Sequence, residues 1–93
     1  MVDTKINWQN GRVQTMTLQA DTRLSFTGGL HTQNNGYLLL IRQPASGVHE
    51  IHWPKDIRWL NGPPELTKMP EKIDIISLSF RNGRYFAKYS LDY

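Results

Sequence analysis

The most enzyme-like string in the sequence is His49-Glu50-Ile51-His52, inside the segment VHEIHWPKDIRWLNGPPEL (Val48–Leu66). Two histidines around a glutamate suggest a zinc ion with a general base, but that motif sets its histidines at i and i+4 on one helix face. Here they are three apart among β-branched and aromatic residues that predict a strand, and odd spacing on a strand points side chains to opposite faces. The pair does not converge on one ion and reads as two ordinary strand histidines. Glu50 and His52 do share a face, yet none of Ser25, Ser46, Ser77, Ser79 or Ser90 sits in the glycine-flanked turn of a nucleophile elbow. Glu71 and Asp74 flank a predicted strand start and read as solvated edge charges. Gly28-Gly29 has no following lysine or helix to make a phosphate cradle. The expectation is a chain with no catalytic residue, no metal site and no cofactor.

Aromatic residues are the next candidates for binding. Trp8, Trp53, Trp59, Phe26, Phe80 and Phe86 fall in predicted strands, where packing is the ordinary role of an aromatic ring. A sugar platform needs exposed rings beside amide or acid groups. Tyr85, Tyr89 and Tyr93, with the loop residues His31, Gln33, Asn34 and Asn35, form the candidate set. Stacking of single-stranded nucleic acid needs cations between the rings, and Arg84–Lys88 (RYFAK) is the only stretch of that kind. The other basic residues are scattered with acids among them, so the net charge of +3 reads as a mildly basic solvated surface without a nucleic-acid partner.

These residues must be positioned by a small scaffold. Ninety-three residues allow one domain, 1–93, and with no cysteine there is neither a disulfide staple nor a thiolate ligand. So small a core makes self-association a natural supplement to stability. The start MVDTKINWQNGR lacks the apolar run of a signal peptide, and the longest apolar stretch, Tyr37–Ile41, is far too short to span a bilayer. The expectation is a soluble chain with no membrane partner.

Short β-branched and aromatic runs separated by Gly, Pro and Asn clusters predict about eight strands and no helix. The predicted fold is all-β, a small antiparallel β-sandwich or a partly closed barrel. Lys5–Trp8 reads as a first strand turned by Asn10-Gly11 into Arg12–Gln19, and Thr22–Phe26 alternates apolar with polar. Thr27–Gly36 is a polar loop. Tyr37–Gln43 (YLLLIRQ) is apolar on both faces and predicts a strand covered on two sides. Val48–Trp53 stops at Pro54, Ile57–Leu60 is a brief extended piece, and Asn61–Pro70 is a proline-stiffened connection. Lys72–Phe80 and Arg84–Leu91 make a hairpin around Asn82-Gly83. The change of apolar parity between Ile75 and Ile76 predicts burial on both sides or a bulge.

The order Trp53-Pro54, Ile57-x-Trp59, Gly62, Pro64 and Leu66, then Asp74-Ile75-Ile76, Arg81-Asn82-Gly83 and Tyr85-Phe86, resembles a recurring module of tailed-bacteriophage structural proteins. Upstream, Thr15–Phe26 and the apolar strand ending at Gln43 fit the same order, so the likeness runs from Gly11 to Tyr93. Pro63-Pro64 directly after Gly62 departs from the module, which often has an extra residue there. The resemblance implies placement in the virion after synthesis in the host cytoplasm. The implied roles are capsid decoration or head fibre, self-associating as a homotrimer on major capsid or tail proteins. A tail-fibre or tail-tip domain gripping host polysaccharide is the alternative. No catalytic residue comes with the likeness. The residues themselves predict a stiff corner in which Trp53 and Trp59 bracket Pro54, with Gly62 free to take a positive φ and Pro64 rigidifying the loop.

Overall fold

The computed structural model describes residues 1–28, 36–45, 47–55, 57–60, 62–81 and 84–91, the side chain of residue 81 excepted. They form eight strands: β1 (Val2–Asn7), β2 (Val13–Thr17), β3 (Thr22–Thr27), β4 (Gly36–Arg42), β5 (Ile51–His52), β6 (Ile57–Trp59), β7 (Ile73–Arg81) and β8 (Arg84–Ser90). A single 3-10 turn at Trp8–Asn10 is the only helical element among the described residues. A sheet ordered β1-β3-β5 packs on a sheet ordered β2-β4-β7-β8-β6, and neither closes into a barrel. The chain is all-β and sandwich-like.

Strand direction differs from the antiparallel expectation. Only β4·β7 and β7·β8 are antiparallel, whereas β1·β3, β2·β4, β3·β5 and β6·β8 are parallel. From β1 to β6 the chain changes sheet at every connection. A strand therefore pairs with the next-but-one strand, and the crossover that parallel pairing requires runs through the opposite sheet instead of through a helix. Asn10-Gly11 is accordingly a corner between sheets and not a hairpin turn. Asn7 Oδ1 accepts the Gln9 N–H at 3.0 Å, and Gln14 Nε2 donates to the carbonyls of Asn7 (2.8 Å) and Gly11 (3.0 Å). These bonds satisfy backbone groups that a hairpin would have paired. Trp8 drops into the core at this corner, stacked on Tyr37 with centroids 4.6 Å apart and tilted against Phe26 at 5.5 Å. In the antiparallel β7·β8 pair Arg81 pairs with Arg84; the expected turn residues Asn82 and Gly83 lie outside the described residues.

The core lies between the sheets. Ile6, Leu24 and Phe26 face Tyr37, Leu39, Ile41, Ile76, Leu78, Tyr85 and Ala87, and Phe26 meets Tyr85 at 5.1 Å. β4 has a partner on each edge, but only Tyr37, Leu39 and Ile41 are covered. Leu38 is exposed and Leu40 half-buried, so the strand read as covered on two sides is covered on one. The β4·β7 register runs without a break from Gly36↔Ser79 to Arg42↔Ile73, which leaves no bulge to explain the parity change. Ile76 and Leu78 point inward and Ile73 and Ile75 lie on the outer face, so β7 is apolar on both faces near its start.

Asp74 is not the solvated edge charge its neighbours suggested. It is 1% exposed, and its carboxylate accepts the Thr67 backbone N–H at 2.7 Å and the Thr67 hydroxyl at 2.6 Å. A buried carboxylate requires donors of this kind, and the two bonds fasten the proline-rich connection to β7. Glu71, just before the strand, takes φ +65°, a left-handed conformation costly for a residue with a Cβ.

Candidate functional site

The histidine segment is held through its backbone. Gln43, 2% exposed at the end of β4, accepts the His49 N–H at 3.1 Å and donates to the His49 carbonyl at 3.0 Å. Glu50 donates its N–H to Asp21 Oδ1 at 2.9 Å and accepts from Thr22 N–H at 2.9 Å. One primary amide thus ties the larger sheet to the strand that joins the smaller one. His49 Nδ1 lies 3.8 Å from Asp21, an ion pair only when the imidazole is protonated, while His52 is exposed on β5. Among the described residues no three His, Cys, Asp or Glu side chains gather as a metal set. Nearby, Lys68 and Glu65 pair at 3.0 Å on the surface, and the hydrogen bond to Glu65 raises the lysine pKa above its ordinary value.

The Trp-Pro segment builds a corner. Trp53 and Trp59 meet edge to face with centroids 5.0 Å apart, and Trp59 meets Tyr89 of β8 at 6.2 Å in the same manner. Edge-to-face placement sets the positive ring edge on the negative face. Pro54 lies between the two indoles in the chain and is half-buried. Gly62 takes φ +84°, and Pro64 is buried beside Leu66. The Leu60 N–H donates to Ala87 O at 2.9 Å, extending the β6·β8 pairing one residue and leaving the Leu60 side chain 73% exposed.

The candidate glycan residues do not form a common platform. Tyr85 is buried at 6%, locked between Phe26 and Phe80, because alternation along β8 turns it inward. Tyr89 lies on the same inner face against Trp59. His31, Gln33, Asn34, Asn35 and Tyr93 lie outside the described residues.

What the fold does present is the outer face of the five-stranded sheet. Cross-strand register puts Val13 beside Leu38 and Leu40 beside Ile75, a small apolar area over β2, β4 and β7. Val13 is 62% and Leu38 37% exposed. Toward the β6 edge the face changes character. Phe86, 44% exposed, pairs with Arg58 on one side and Ser79 on the other, while Lys88 pairs with Ser77. Arg58, Leu60, Ser77, Ser79, Phe86 and Lys88 line a shallow depression of about 430 Å³. Arg42 and Arg84 are further described cations of this face, and no described carboxylate lines the depression. The alternating RYFAK pattern of Arg84–Lys88 signals the second half, but its pairing with Arg58 does not show in the sequence. The two-sided apolarity of YLLLIRQ was the one signal available for the first.

Comparison with known proteins adds no relative: no family model, curated protein or solved structure matches the chain.

Proposed function

We propose that this chain is a structural protein of a tailed-bacteriophage virion, a capsid decoration or head-fibre component that self-associates and binds other virion proteins. The observation that carries the reading is the uncovered apolar area of Val13, Leu38, Leu40 and Ile75 on a chain that can spare little apolar surface. A domain this small buries a limited share of its surface, and apolar residues left outside it gain stability when a second copy covers them. A closed trimer is the assembly proposed. The Trp53–Trp59 corner supports the same reading, since it stiffens a disulfide-free block without a ligand. The order of residues from Trp53 to Phe86 that resembles phage structural proteins supplies the virion context.

The polysaccharide-binding alternative loses Tyr85, which is buried, and Tyr89 is engaged with Trp59, while Tyr93 lies outside the described residues. Light scattering on the purified chain should give the mass of a trimer, and mass spectrometry of purified phage particles should find the chain as a stoichiometric component. A monomer that associates with no virion component would overturn the reading.

A further inference from the structure

The β6–β8 end of the outer face has a chemistry distinct from the apolar area beside it. Along β8, Arg84, Phe86 and Lys88 project to the same side at intervals of about 6.8 Å, the two-residue repeat of a strand. Arg58 stands next to Phe86 on β6, across about 4.8 Å of sheet. Leu60 rises on one side and the hydroxyls of Ser77 and Ser79 lie on the other. The pattern is an apolar centre flanked by cations along a line, with hydrogen-bonding groups beside it.

From this pattern we infer that the β6–β8 end of the face binds an extended acidic segment of another protein, in which an apolar residue lies between carboxylates two positions away on either side. Laid along β8, such a segment sets its apolar side chain on Phe86 and Leu60 and its carboxylates toward Arg84, Lys88 and Arg58. Charge complementarity selects this occupant. The same face of a second copy would bring Arg58, Arg84 and Lys88 against their equivalents, and like charges brought together at an interface repel. Single-stranded nucleic acid uses a row of rings for successive bases, whereas among the described residues Phe86 is the only exposed aromatic ring here and its apolar neighbour, Leu60, is aliphatic. The inference deepens the virion reading by giving the chemistry of the partner, and it rests on that reading only for the segment's source.

The test is an amide NMR titration of the full 93-residue chain with a short synthetic peptide of pattern Glu-x-Leu-x-Glu. Controls are the Lys-x-Leu-x-Lys peptide and an oligothymidylate. Saturable shifts confined to β6, β8 and Ser77–Ser79 are expected with the acidic peptide only. They should weaken as salt is added, and affinity should fall about tenfold or more when Arg58 and Lys88 are both changed to Glu. Both sites are exposed, so an otherwise unchanged spectrum of that variant confirms an intact fold. Shifts that are absent, located elsewhere or indifferent to these charges would overturn the inference. So would oligothymidylate saturating the same amides at lower concentration, or dilution of the chain alone moving them, which would assign the face to nucleic acid or to a second copy. The titration reads neither trimer mass nor presence in particles, so its failure is distinct from failure of the virion reading.

Discussion

The carboxamide of Gln43 grips His49 from both sides, accepting its N–H at 3.1 Å and donating to its carbonyl at 3.0 Å. A side chain here completes what a neighbouring strand would otherwise supply. The Gln43 backbone is also engaged, its N–H donating to Lys72 O at 3.3 Å and its carbonyl accepting from Glu71 N–H at 3.1 Å.

Gln43→Ala leaves the His49 N–H and carbonyl without that partner, and a loss of about 2–4 kcal/mol in urea denaturation is expected. Gln43→Glu keeps an acceptor but places a carboxylate where a donor is needed. Burial raises the folded-state pKa of that new group above its unfolded value of about 4.3. The folded variant then binds the proton more tightly than the unfolded one. Its stability should therefore rise as pH falls through the folded pKa, levelling off below the unfolded pKa. Denaturation curves across that window, against wild type, check the sign.

Asp74→Asn offers one carbonyl to the two donors of Thr67 and turns an NH₂ group toward them. The expected cost is about 1–3 kcal/mol. Thr67→Val should cost less, and a double-mutant cycle should show coupling between the sites if the bonds at 2.6 and 2.7 Å hold the connection to β7.

Gly28 takes φ +75°, and a Cβ there would strike the Asn7 carboxamide and approach the Gln9 nitrogen to 3.2 Å. Gly28→Ala should lower stability by about 2–4 kcal/mol through conformational strain and crowding at the first sheet-to-sheet corner. Glu71→Gly, by contrast, should raise the thermal midpoint, by a stabilisation of about 1 kcal/mol, because glycine relieves the φ of +65°.

Leu38→Asp places a charge on the apolar area without entering the core. Its expected result is loss of the proposed trimer by light scattering with the β-sheet circular dichroism signal retained. Trp59→Ala removes both edge-to-face contacts of the corner and should cost about 2–4 kcal/mol, since the indole is half-buried.

Alternation in Thr22–Phe26 and the short runs between Gly, Pro and Asn specified strands without reference to any neighbour, because inward and outward positions repeat every two residues. The all-β class was legible for that reason, and the positive φ of Gly62 because glycine has no Cβ, whereas the strand read as Val48–Trp53 is only Ile51–His52. Strand partners were not. Asn10-Gly11 carries the local chemistry of a hairpin, yet the chain passes there into the other sheet, Trp8 packs in the core against Tyr37 and Phe26, and β1 pairs with β3. That choice belongs to the packed molecule.

Asp74 shows the same division. Its sequence neighbours look like a strand edge, and only the folded chain brings Thr67 to it with two donors. For the outer face, the sequence by itself determined that YLLLIRQ and Ile73–Ile76 are apolar on both sides. Tertiary structure decided that a single layer covers them. It also drew Arg58, Arg84, Phe86 and Lys88, from strands distant in the chain, onto one surface around a depression that no described carboxylate lines. Periodicity is a local property of the backbone, whereas a surface is made by pairing between segments that no local rule connects.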